Sequence, residues 1–247
     1  MLSDKKGATE MKEIFCLGSR VQTLTDPFSL GPFTFRVCQD WAKWPTELEG
    51  VHVMNSCWGA DGLLYAATDR SEAPVIVLDQ EGRWIKNIGQ GLFVKAHSVV
   101  YTPKGTLLVA DADKSAHIIR EVTPQGELIR TFGTMGVPGD SGYQFDYYTI
   151  MEKEGKHPSQ HPWCNDPKAM ARLDSIQKRG TPFCRPCSMI MAGDGMYYAA
   201  DGYGNCAVHR FDAQLSGALQ TETIVDRFAI FYFCDKNDCN IFLTVGT

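Results

Sequence analysis

Long apolar runs are missing from this 247-residue chain. None approaches the roughly 18 to 20 residues that a membrane-spanning helix needs. The opening stretch, Met1 to Phe15, is charged and lacks the apolar centre of a secretory signal. The chain is therefore expected to be soluble and cytoplasmic, with no membrane partner. A basic excess is missing too: the formal net charge is -5 and the pI about 5.7, which argues against nucleic acid as a partner. Glycine-rich phosphate loops, a nucleophile elbow and paired carboxylates at a readable spacing are absent. So are amphipathic stretches of 3.6-residue period between the apolar segments, which removes the helical crossovers of a βαβ fold.

Cysteine is abundant by contrast. Nine residues are an odd number, so a complete disulfide framework leaves a thiol over, and reduced thiols are the expectation for a cytosolic chain. Cys184 and Cys187 have the C-x-x-C spacing of a redox or zinc knuckle. Their nearest counterpart, Cys234 and Cys239, is too widely spaced for the second half of a zinc ribbon.

The sequence also repeats. Asp61-Gly62 opens a short apolar segment ending at Asp69. Lys104-Gly105 opens one ending at Asp111, and Asp194-Gly195 one ending at Asp201. A polar turn, an alternating segment, a glycine hairpin at Gly82 or Gly126 and an outer segment follow in the first two copies; the third continues through Ala207 to Asp212. Gly62 and Gly105 are 43 residues apart and Gly82 and Gly126 are 44 apart, the period of a four-stranded propeller blade. The expected fold is all-β, a β-propeller with three to four recognisable blades. Six blades would need about 260 residues, so an incomplete ring or one completed by an oligomer is the expectation. Residues 1–34 read as an extension, 35–212 as blades, and 213–247 as a diverged segment in which Phe228 to Cys234 has strand character.

An insertion of roughly 135–182, dense in Pro, His, Lys and Asp, interrupts the blades. It reads either as a lid or binding loop over one face of the ring or as a solvated excursion. Asp166 to Lys178 has the composition of a short helix. His157 and His161 stand four apart, but Pro158 and Pro162 oppose the helix that would pair them on a metal.

Three stretches carry a more specific likeness. Ala96-His97-Ser98 leads into the strand ending at Asp111. Phe183-Cys184-Arg185-Pro186 is followed by Asp201-Gly202-Tyr203-Gly204-Asn205 and by His209 to Asp212. Phe35 through Trp41 and Trp44-Pro45 leads to Asp69-Arg70. Together they resemble the NHL-repeat propellers of the peptidyl-α-hydroxyglycine α-amidating lyase family. The resemblance implies a six-bladed plan and cleavage of the C–N bond of a peptidyl-α-hydroxyglycine, with a peptide or small-molecule substrate at the propeller axis. It implies zinc on that axis, with calcium as a second candidate ion, His97 as a zinc ligand, and Arg70 and Tyr203 as catalytic groups. It also implies a disulfide between Cys184 and the neighbourhood of Cys206. A metal that lowers the pKa of a hydroxyl, a nearby base and an arginine fork for a carboxylate suit that chemistry. The chain departs from the pattern at Pro186-Cys187-Ser188 and at Ser98, and offers no matching histidine after Asp212. A propeller that binds a peptide or protein without chemistry is the alternative reading.

Overall fold

Each repeat becomes a sheet because its glycines let the chain reverse where other residues resist. Gly62, Gly105 and Gly195 hold φ of 79°, 77° and 83°, and Gly82 and Gly126 hold 75° and 93°, the left-handed region that favours glycine in tight hairpins. The computed structural model describes residues 40–145, 175–193 and 195–212 continuously, with short strands and single positions within 14–38 and 222–242.

Two N-terminal hairpins pair β1 (Ile14–Cys16) with β2 (Ser19–Val21) and β3 (Phe28–Leu30) with β4 (Phe33–Phe35). Three antiparallel four-stranded sheets follow. The first is β5 (Val53–Trp58), β6 (Leu64–Thr68), β7 (Val75–Leu78) and β8 (Trp84–Ile88). The second is β9 (Ala96–Tyr101), β10 (Leu107–Asp111), β11 (Ile118–Val122) and β12 (Leu128–Phe132). The third is β13 (Ser188–Met191), β14 (Tyr197–Asp201), β15 (Ala207–Phe211) and β16 (Glu222–Thr223). A further hairpin pairs β17 (Phe231–Asp235) with β18 (Asp238–Phe242), in line with the strand character expected there. Strands pair in sequence order throughout each sheet, as in the blades of a β-propeller. Among the described residues the only helical turn is the 3-10 segment Thr46–Leu48.

The central strands are buried on both faces, and the pleat sends alternate residues to opposite neighbours. Leu107 and Val109 of β10 join Tyr65, Ala67, Val75 and Val77 of the first blade in one core. Leu108 and Ala110 join Met189, Tyr197, Ala199 and Phe211 of the third blade in another. Fully burying such a side chain is worth about 1.5–3 kcal/mol. The opposite face of the first blade, Ala66, Ile76 and Leu78, is covered by Trp41, Trp44, Leu48 and Val51. A segment N-terminal to the blades therefore occupies the side where a preceding blade would pack.

The aspartates of the repeat have a structural task. Asp111 accepts hydrogen bonds from the backbone N–H groups of Val94 (2.6 Å) and Lys95 (3.2 Å), and Asp201 accepts one from Cys184 N–H (2.8 Å). Asp69 accepts one from His52 N–H at 3.3 Å. Each carboxylate ties the end of its second strand to the segment that enters the first strand of the same sheet.

The two described ends of the insertion meet at Gly139 and Gly180. A Cβ on Gly180 would stand 2.6 Å from the Gly139 carbonyl carbon, so both backbones need the missing side chain. Gly139 N–H donates to the Phe183 carbonyl, Ser141 Oγ–H to the Gly204 carbonyl, and Asn205 clasps Gly180 through bonds of 2.7 and 2.6 Å. His157, His161 and most of Asp166 to Lys178 lie outside the described residues, and Ser175 to Lys178, at the end of that stretch, are not helical.

Candidate functional site

The blade register brings remote residues to one end of the second and third blades. His97 stands second in β9, beside the Ala96–Asp111 pair, and so at the end of β10 that turns into β11. Tyr203 occupies the matching turn between β14 and β15. The two side chains meet: His97 Nε2 lies 3.0 Å from Tyr203 Oη, with the rings edge-on at 5.1 Å. His97 Nδ1 lies 2.9 Å from the Cys187 carbonyl. A carbonyl only accepts, so this network assigns the ring proton to Nδ1 and leaves Nε2 to accept the Tyr203 O–H. Burial holds the His97 pKa below its ordinary value, with Lys95 and Arg185 adding to the shift against the Cys187 hydrogen bond. The imidazole is thus kept neutral, with an aimed lone pair.

Arg185 completes the group. Its guanidinium stacks over the Tyr203 ring at 4.9 Å, donates from Nε to the Ala112 carbonyl at 2.8 Å and reaches Tyr143 Oη at 3.4 Å. Its backbone N–H donates to His117 Nδ1 at 3.2 Å. Tyr143 and Phe145, from the foot of the insertion, stack edge-on at 4.9 Å, and Phe145 meets His117 at 5.5 Å. Among the described residues, the non-glycine positions in the left-handed region are His117 (φ 59°), Arg185 (φ 64°) and Cys206 (φ 51°). All three lie around this group, and such strain collects at functional sites. The turn bearing Tyr203 also packs without slack, since a Cβ on Gly204 would stand 2.4 Å from Cys184 Sγ.

The residues expected from sequence fare differently. His97 and Tyr203 are hydrogen-bonded to one another. Arg70 sits in the turn between β6 and β7, with a half-exposed side chain whose recorded ion-pair partner is Glu72 at 3.5 Å. Arg185 is the arginine beside Tyr203. It lies inside the stretch read as C-x-x-C, and its place in the Phe183 to Pro186 likeness was the available signal for it.

Three protein ligands are usual for catalytic zinc. The described residues contain no group of three His, Cys, Asp or Glu side chains able to hold an ion, and the Nε2 of His97 is engaged by Tyr203. The described residues therefore do not supply the ligand set of a catalytic zinc site. Cys184, Cys187 and Cys206 are free thiols, which corrects the disulfide expected between the Cys184 and Cys206 segments. Burial pushes the Cys184 thiol up to about 11 and the Cys187 thiol to about 12, so neither is poised as a thiolate.

No protein-family model and no curated protein sequence matches the chain. Solved structures do. Virginiamycin B lyase from Staphylococcus aureus is 10% identical, with a TM-score of 0.39, over 80% of this chain and 49% of that one. The extracellular domain of the hybrid two-component system BT3049 from B. thetaiotaomicron is 12% identical, with a TM-score of 0.45, over 85% and 25%. Hydrazine synthase from Kuenenia stuttgartiensis is 20% identical, with a TM-score of 0.37, over 64% and 33%. The chain spans about a quarter to a half of the length of the first structures it matches. The propeller assignment rests on the chain's own blades, and its function on its own site. Among the described residues, no helix is long and apolar enough to cross a membrane.

Proposed function

We propose that this propeller is a lyase for a carboxylate-bearing, peptide-like substrate, with His97 and Tyr203 as its proton-transfer pair and Arg185 as its carboxylate anchor. The observation that carries the reading is the 3.0 Å contact between Tyr203 Oη and a His97 Nε2 made an acceptor by the Cys187 carbonyl. A neutral, oriented imidazole behind a tyrosine is a general base in relay. The guanidinium stacked on that tyrosine favours negative charge on its oxygen and offers a fork to a carboxylate.

The sequence likeness narrows the substrate to a peptidyl-α-hydroxyglycine. Tyr203 takes the proton of the α-hydroxyl while its own passes to His97 Nε2. The C–O bond becomes a carbonyl, the C–N bond breaks, and its electron pair goes to nitrogen, which recovers the proton from the imidazolium through Tyr203. The products are a primary amide and glyoxylate, whose carboxylate Arg185 holds. The test is glyoxylate release by the full chain from a peptide ending in α-hydroxyglycine. Release that falls on His97→Ala and on Tyr203→Phe supports the reading, and a wild-type chain that releases none sinks it.

One observation favours binding without chemistry. Trp84 and Ile85 on β8, and Leu128 and Ile129 on β12, occupy corresponding positions on the outer strands of adjacent blades and are 41–47% exposed. An extended peptide along these strands would bind with no need of Tyr203, so substitution at Trp84 rather than Tyr203 would abolish its capture.

A further inference from the structure

His117 lies 20 residues from His97 in sequence and opens the alternating segment of the second repeat, where the first repeat has Pro74. It is 1% exposed and sits just before β11 with φ of 59°. A buried histidine in that backbone conformation carries a cost that local structure alone does not offset. Both of its ring nitrogens are engaged. Nε2 lies 2.9 Å from the Lys114 carbonyl and must donate to it, so Nδ1 is left to accept the backbone N–H of Arg185 at 3.2 Å. That N–H belongs to the Phe183 to Cys187 segment, which supplies both groups that shape the site: the Arg185 guanidinium over Tyr203 and the Cys187 carbonyl that sets the His97 proton.

We propose that His117 is a positioning residue for the proton-transfer pair, holding the Arg185–Cys187 turn in place only while its imidazole is neutral. The proposal rests on the reading of His97 and Tyr203 as the reacting pair, which it deepens. Protonation turns Nδ1 from acceptor to donor. The Arg185 N–H then loses its partner, and a second positive charge appears beside the guanidinium. The charged groups that act on His117 are Asp113 on its own turn, Arg185 from the segment entering β13 and Asp201 from β14, and Lys114 meets it through its backbone carbonyl. The foot of the insertion contributes the ring of Phe145. Burial holds the His117 pKa below its ordinary value, with Arg185 adding to that shift and the Lys114 carbonyl and the two aspartates opposing it. The lock therefore holds at neutral pH and opens on acidification.

Nitrogen-15 NMR of the histidine side chains in the full chain tests this without any need for turnover. In the wild type, His97 is the Nδ1–H tautomer at pH 7.5 and loses that single signature as the pH falls through the His117 titration. His117→Leu removes both bonds and gives His97 a mixture of tautomers at pH 7.5. His117→Gln keeps one acceptor and one donor without a titrating group. It retains the Nδ1–H signature and carries it unchanged to the pH at which His97 itself titrates. In the glyoxylate assay His117→Leu raises KM about tenfold or more through the displaced Arg185, and His117→Gln removes an acid limb from the pH profile. A His97 tautomer unaffected by His117→Leu, or a wild-type pH response that His117→Gln leaves in place, overturns the proposal. If the leucine variant does not fold, the glutamine comparison decides alone. Failure of the lyase reading would appear as absent turnover, with the NMR result still readable.

Discussion

Between the first and second blades the seam is mainly apolar: Tyr65, Ala67, Val75 and Val77 lie against Ala96, Val99, Leu107 and Val109, and the polar bonds that cross it among the described residues include Val99 N–H to Asn55 Oδ1 at 3.1 Å and a bond between the Cys57 thiol and the Tyr101 backbone. Between the second and third blades, Leu108, Ala110, Met189 and Ala199 form a similar core at mid-strand. There the ends of the seam turn polar. His97 reaches Cys187 and Tyr203, Arg185 reaches Ala112 and His117, and at the far end Tyr197 donates to the buried Glu121 at 3.2 Å. Glu121 also accepts from Thr106 Oγ1 at 2.7 Å and pairs with Arg130 at 3.0 Å. The same blade-on-blade packing thus yields a plain core at one seam and a polar, strained site at the next. Buried polar groups must be paired, and pairing across a seam fixes geometry where apolar contact would tolerate sliding.

The sharpest way to separate the seams is to damage each. Tyr203→Phe keeps the ring and deletes the hydroxyl, and is expected to lower turnover about 100- to 10,000-fold with little change in melting temperature. Leu107→Ala, in the apolar seam, is expected to cost about 2–5 kcal/mol of stability in denaturant unfolding while the folded fraction keeps its activity. A Leu107 variant that stays stable but loses turnover would erase the distinction.

Acid should act on the polar seam first. His97 and His117 both have lowered pKa values in the folded state. As pH falls below the unfolded value of about 6.5, the unfolded chain binds protons that the folded chain refuses, and stability drops until the folded pKa values are passed. The contribution is full above pH 6.5 and is lost on acidification. Denaturant unfolding at pH 7.5 and 5 should show this loss, and His97→Gln should reduce it.

Smaller effects belong to the periphery. Gly180→Ala forces the neck of the insertion apart at Gly139 and is expected to cost about 1–3 kcal/mol, read as faster proteolysis within the insertion. Arg70→Ala, at an exposed pair with Glu72, is expected to shift stability by less than about 0.5 kcal/mol and turnover by less than about twofold. A large loss of turnover would move the carboxylate anchor from Arg185 to Arg70.

The blades were legible because turn chemistry repeats: Gly62, Gly105 and Gly195 each mark a hairpin, and Asp69, Asp111 and Asp201 each close a second strand. The innermost strand of the first blade was harder to see, since Asn55, Ser56 and Cys57 in β5 break any apolar alternation. His97 and Tyr203 could be named from their motifs, and position in a repeat says at which strand end a residue stands. It does not say which residue of the next blade it meets. Position therefore does not single out Arg185 or His117, because the contact joining them spans 68 positions. Cys184 and Cys206 show the converse, a pairing suggested by likeness that the packed turn around Gly204 holds as two separate thiols.

The most direct measurement is glyoxylate release from an α-hydroxyglycine peptide by the wild-type chain and by Tyr203→Phe at pH 7.5. The account predicts release by the wild type that falls at least 100-fold in the variant. Equal rates in the two, or no release from either, would contradict it.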